Sequence, residues 1–168
     1  MKSKLYLFIS IIFSFALISC VSEDDPEPRS LLPGDRCPEF STTFSDGSVI
    51  TTSDLRGLTS VIVFFNTSCP DCRKELPEIQ KVYEFAMNVN RPIGVFCIAR
   101  EEGSESIERF WKENGFTMPY SAQTDRSVYN LFASSVIPRI YVVSPELKIT
   151  AAWSDNPVPT AEEIIKSL

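Results

Sequence analysis

The 168-residue chain contains no histidine. That absence removes Ser-His-Asp and Cys-His nucleophilic catalysis, because no imidazole is present to take the nucleophile's proton. It also thins the supply of metal ligands. With a single Cys-x-x-Cys pair and no histidine, a four-ligand zinc site lacks donors, and a copper-delivery site lacks the imidazole that commonly accompanies thiols. Basic residues are scarce as well: 16 Lys and Arg stand against 22 Asp and Glu, a net charge of −6. Such a surface repels a phosphate backbone and argues against a nucleic-acid partner. Long apolar runs are missing too. The most apolar segment, Leu5 to Ile18, is 14 residues long, short of the roughly 20 that cross a bilayer as a helix. No internal repeat is present.

What the N-terminus does contain is a pattern. Lys2 and Lys4 precede the apolar segment, which ends in Leu17-Ile18-Ser19-Cys20; charge followed by a short apolar run reads as an export signal. The last four residues resemble a lipobox, the bacterial lipoprotein signal in which the cysteine is lipidated and becomes the mature N-terminus. On that reading residues 1–19 are a lipoprotein signal peptide and Cys20 is the lipidation site, a membrane anchor outside the catalytic inventory. The alternative is a plain cleaved signal with an incidental cysteine. Residues 20–31 form an acidic, proline-containing tether without apolar periodicity, including Glu23, Asp24, Asp25 and Glu27. The acidic run also resembles an export tag to the outer face of the outer membrane, so a periplasmic location and surface display both stay open. The remaining 32–168 fit one domain with a single core. Without Lys2 and Lys4 the balance is 14 basic against 22 acidic residues, about −8.

Along that domain, Leu31 to Phe44 reads as irregular or weakly extended, and Asp46-Gly47 as a hairpin turn into Val49-Ile50-Thr51. Ser53 to Gly57 looks like a capped single turn. Val61 to Phe65 is a continuous β-prone run, expected as a central strand covered on both faces. From Pro70 to Asn88, Leu76, Ile79, Tyr83 and Ala86 recur at helical spacing, with Pro77 expected to kink the helix. Ile93 to Ala99 predicts a second buried strand, and Ser104 to Asn114 a helix ended by Gly115. A short helix capped by Asp125 is expected to Phe132. Arg139 to Val143 and Ile149 to Trp153 predict an antiparallel hairpin, and Thr160 to Leu168 a final helix. Alternating strand and helix implies a parallel β-α-β core and an α/β fold.

Cys69-Pro70-Asp71-Cys72 directly follows the first buried strand and opens the first long helix. A strand that delivers a cysteine to the first turn of a helix sets its sulfur among unpaired backbone N–H groups, which favour the reactive thiolate. The spacing alone is weak, and two core cysteines of an ordinary helix would also produce it. The remaining cysteines carry less. Cys97 lies within a buried strand and reads as an inert core thiol. Cys37 stays open between a free thiol, a disulfide with Cys97 and a regulatory role.

The order β, Cys-x-x-Cys helix, β, helix, Xaa-Pro with a β-hairpin, terminal helix resembles the thioredoxin fold, a central mixed sheet flanked by helices, here with an N-terminal extension. More narrowly, 32–168 is similar to the TlpA-like membrane-tethered thiol-disulfide oxidoreductases of the redoxin group. Three markers carry the likeness: the dithiol; Pro77, five residues beyond Cys72; and Ile137-Pro138 just before a strand, where that family has its cis-proline. Glu75 matches an acidic position of TlpA-like reductases. Ser68 stands where thioredoxins have tryptophan, and Pro70-Asp71 where they have Gly-Pro.

The resemblance implies a redox-active disulfide between Cys69, the exposed nucleophile, and Cys72, the resolving thiol, with Glu75 accepting the Cys72 proton. A solvated carboxylate paired with a nearby Lys or Arg is the other reading of Glu75. Pro70, Asp71, Ile137 and Pro138 would form the substrate-binding surface, the Ile137 backbone pairing with an extended protein or peptide disulfide. Arg139 reads as flanking its strand. Such exchange needs no metal or cofactor, only a disulfide substrate and a thiol electron donor. The helix N-terminus favours a Cys69 thiolate by about 0.3 to 1 kcal/mol, and an ionised Asp71 opposes it by about 1 kcal/mol. The two nearly cancel, which points to a reductant or isomerase. Two other classes compete: a peroxiredoxin-like thiol peroxidase, whose Pro-x-x-x-Thr-x-x-Cys signature is broken by Ile62 and Asn66, and a non-catalytic thioredoxin-fold binding lipoprotein.

Overall fold

A computed structural model describes residues 30–168. The expected signal peptide, Cys20 and all but the last two residues of the tether lie outside the described residues. No helix among the described residues is long and apolar enough to cross a membrane.

The core is a five-stranded sheet. Its strands in chain order are β3 (Thr59–Phe65), β4 (Ile93–Ala99), β5 (Tyr120–Ser121), β6 (Arg139–Val143) and β7 (Ile149–Trp153), in spatial order β5-β4-β3-β6-β7. A separate hairpin joins β1 (Ser41–Thr43) to β2 (Val49–Thr51). β3 pairs in parallel with β4, and β4 with β5, while β6 runs antiparallel to both β3 and β7. The sheet is therefore mixed, with the apolar run Val61 to Phe65 at its centre.

Both faces of β3 are covered, as a continuous apolar strand requires. Val61, Val63 and Phe65 pack with Leu76, Ile79 and Val82 of α1 (Pro70–Asn88), with Ile107 and Trp111 of α2 (Ser104–Asn114) and with Ile164 of α4 (Ala161–Ile165). Ile62 and Phe64 face the other way, against Leu31, Phe40, Phe44 and Leu55 of the N-terminal segment and Tyr129 and Phe132 of α3 (Tyr129–Phe132). The strand period of two sorts the side chains into these two cores.

Most expected elements stand where the sequence pattern puts them, and α2 ends at Gly115 with the left-handed φ of 68° that glycine tolerates. α1 continues through Pro77. Two helices are shorter than expected. Asp125 does not cap α3: its Oδ1 accepts from Ser127 N–H at 2.8 Å, closing a local turn, and the helix begins only at Tyr129. α4 starts after Thr160, whose hydroxyl accepts from Glu163 N–H at 3.3 Å, and it stops at Ile165. β5 was not expected at all.

Candidate functional site

β3 ends at Phe65, and three residues later the chain enters α1 at Cys69. The connecting loop is held from within and from outside. Asn66 Oδ1 accepts from Ser68 N–H at 2.8 Å, while Asn66 Nδ2 donates to Arg100 O at 3.0 Å. Buried Glu102 accepts from Thr67 N–H at 2.6 Å and from the Thr67 hydroxyl. Arg73 Nε donates back to Thr67 O at 2.5 Å, with its guanidinium 5.4 Å from the Phe110 ring centroid. Neither Glu102 nor Arg73 was singled out in the sequence. Their partners are backbone or hydroxyl groups of a distant or neighbouring loop, and no spacing rule signals that.

Cys69 is the N-cap residue of α1, with extended backbone, and Pro70 occupies the first helical turn. The Cys72 N–H points at Cys69 Sγ, 3.5 Å away. Cys69 is partly exposed; Cys72, one turn further, is fully buried. Both are free thiols. Burial pushes the Cys72 thiol well up, opposed by the Asn66 backbone N–H.

Opposite the dithiol, the Ile137-Pro138 peptide is cis, and Ile137 O lies 3.7 Å from Cys69 Sγ. Cys69, Pro70 and Ile137 share one open groove with Asn66, Ser68 and Arg100. Asp71, expected on the substrate surface, is not among the residues lining the groove; it is bonded to Lys74 Nζ at 2.7 Å.

Glu75 is fully buried, and neither carboxylate oxygen has a hydrogen-bond partner. This overturns the reading of a solvated carboxylate paired with a basic residue: one turn beyond Cys72, the helix face turns into the core. Burial first, and the Cys69 charge second, push the Glu75 carboxyl well above the usual glutamate range.

Cys97 and Cys37 are free, buried and in different cores on opposite faces of the sheet, so the disulfide between them is excluded. Cys97 Sγ lies 3.6 Å from Met118 Sδ, and burial raises its thiol, with Glu75 adding to the effect. Burial, helped by Glu39, pushes Cys37 up to about 12. Both are inert thiols at neutral pH. Among the described residues no group of three or more Cys, Asp or Glu side chains is arranged to hold a metal ion.

A mixed five-stranded sheet, a dithiol where β3 hands over to α1, and a cis-proline loop facing it define a thioredoxin-fold protein of the redoxin class. The chain belongs to the AhpC/TSA family, whose model matches residues 33–152. It is 27% identical over 121 residues to the thiol-disulfide oxidoreductase ResA of Bacillus subtilis strain 168, covering 72% of this chain and 66% of that protein, just under two thirds of its length. Among solved structures it is similar to one from Bacteroides thetaiotaomicron provisionally assigned as a protein disulfide isomerase, with TM-score 0.71 and 27% identity over 83% of this chain and 90% of the other. The thiol:disulfide interchange protein of Chlorobium tepidum TLS shares the fold, with TM-score 0.67 and 21% identity over 83% and 96% of the two chains.

Proposed function

We propose that this protein is an extracytoplasmic thiol-disulfide oxidoreductase that reduces or exchanges protein disulfides through Cys69 and Cys72, tethered to a membrane by lipid on Cys20. One observation carries the reading: a partly exposed Cys69 sulfur at a helix N-cap, facing the proline loop, with a buried thiol one turn behind it. The names of the relatives support the same chemistry.

The cycle balances as follows. Cys69 thiolate attacks a substrate disulfide; a Cys69–substrate S–S bond forms and one substrate thiolate leaves. Glu75 carboxylate takes the Cys72 proton, and the Cys72 thiolate attacks Cys69 Sγ. The mixed disulfide breaks, the second substrate thiolate leaves and takes up the proton that Glu75 releases, and the protein holds a Cys69–Cys72 disulfide. Two electrons have passed to the substrate, and a thiol donor restores the dithiol. The Cys69 charge is the second cause of the raised Glu75 pKa, and attack on the substrate removes it, which eases Glu75 toward the carboxylate that takes the Cys72 proton.

Insulin-disulfide reduction tests the assignment. Cys69→Ser abolishes it, and Cys72→Ser accumulates mixed disulfides on Cys69; turnover retained by either variant refutes the roles. Parallel assays with hydrogen peroxide and copper(I) separate the thiol-peroxidase and binding-protein alternatives.

A further inference from the structure

Four consecutive carbonyls lead into Pro138, and each meets a different side chain. Arg126 Nη2 donates to Ser134 O at 3.2 Å, Arg100 Nη1 to Ser135 O at 3.0 Å, and the Tyr129 hydroxyl to Val136 O at 2.8 Å. The fourth, Ile137 O, faces Cys69 Sγ. The three donors form one unit. The guanidinium carbons of Arg100 and Arg126 lie 5.0 and 5.4 Å from the Tyr129 ring centroid, and both arginines pair with Glu101, at 3.6 and 3.8 Å. Tyr129 itself is buried, edge-on to Phe64 at 5.5 Å.

This arrangement is more elaborate than its surroundings require. Residues 134–136 are exposed, so water could satisfy their carbonyls. Instead a buried tyrosine serves one of them, and two arginines whose Nε atoms face Glu101 serve the others. The same β4 end secures the other half of the groove, because Arg100 O accepts from Asn66 and Glu102 accepts from Thr67.

We propose that Arg100, Tyr129 and Arg126 are positioning residues that pre-set the 134–137 loop for polypeptide disulfides, an inference that rests on the oxidoreductase reading above. An extended peptide gains its backbone pairing only against a loop of fixed shape, and fixing that shape beforehand removes the ordering cost from binding. A small aromatic disulfide has no backbone to pair and needs only the Cys69 sulfur. The clamp therefore selects for extended chains.

Reduced Tyr129→Phe and Arg126→Gln proteins are assayed beside the wild type against a disulfide-linked peptide dimer and against dithiobis-nitrobenzoate. Loss of one such hydrogen bond raises KM for the peptide about tenfold with little change in kcat, so the peptide-to-small-disulfide rate ratio falls about tenfold. Arg126→Lys, which keeps a charged donor, recovers part of the KM. An unchanged ratio overturns the proposal, whether both rates persist or both fall together through a damaged fold, and so does a loss confined to kcat. A wild type that reduces neither disulfide overturns the oxidoreductase reading itself and the clamp with it.

Discussion

Glu75 sits fully buried with two unpartnered carboxylate oxygens. A buried polar group left unsatisfied costs about 1 to 3 kcal/mol, so Glu75 lowers stability, a cost that the proposed proton transfer would offset in function. Its raised pKa fixes the sign of the pH effect. Below the ordinary glutamate range the folded and unfolded chains both hold the proton. Above it the unfolded chain releases the proton while the folded chain keeps it, so stability declines until the pH passes the folded value. Glu75→Met should therefore gain about 1 to 3 kcal/mol in urea unfolding at neutral pH and flatten the decline above the ordinary carboxyl range. The same variant should resolve the Cys69 mixed disulfide more slowly, and Glu75→Gln should remove the Glu75 limb from the pH profile of exchange. A Gln variant with an unaltered profile excludes the proton-transfer role.

Loop and strand-end elements carry the next level of organisation. The loop 66–68 owes its shape to Glu102, which lies beyond the end of β4 and reaches it across a sequence separation of 35 residues. Glu102→Ala removes the acceptor for Thr67 N–H and hydroxyl at once. Hydrogen bonds to a charged group are worth about 1.5 to 3 kcal/mol, so stability should fall by that order and the Thr67 amide should lose hydrogen-exchange protection while β3 amides keep theirs; unchanged Thr67 protection removes Glu102 from this role. Such long-range ties also explain what the sequence made legible. β3, β4 and α1 could be read because their apolar residues repeat with the period of the element itself, and the places of Cys69 and Cys72 at the start of α1 and of Ile137-Pro138 before β6 follow from where those elements begin. Tyr120–Ser121 could not: two residues have no period, and β5 exists through its pairing with Cys97 and Ile98. Asp125 was misread because its side chain closes a turn with Ser127 as readily as it caps a helix. Glu102 and Arg100 act on backbone groups 35 residues away, Arg126 and Tyr129 on carbonyls eight and seven residues on, and identity and spacing encode no such partner.

At the scale of the whole molecule, the sheet separates functions as well as cores. The dithiol opens at one end of β3, whereas Cys37 and Cys97 are sealed on opposite faces, so the exchange proposed above has one pair of sulfurs to use. The described fold begins at Ser30, where a bridge to Ala133 pins the chain. Cys20 lies ten residues upstream, and at about 3.3 to 3.6 Å per residue the intervening chain can span at most about 35 Å. A lipid anchor on Cys20 would thus hold Ser30 within about 35 Å of the membrane. Cys20→Ser should move the protein from the membrane to the soluble fraction of cells, and detergent-free purification of that variant should give the same insulin-reduction rate per dithiol as the lipid-bearing form. Acylation also makes a mass prediction, since each buried methylene contributes about 0.8 kcal/mol to membrane affinity and a stable anchor takes more than one chain. Mass spectrometry of the mature N-terminus should find at least two acyl chains on the peptide beginning at Cys20, and an unmodified cysteine there, or a mature chain starting elsewhere, removes the tether from the account.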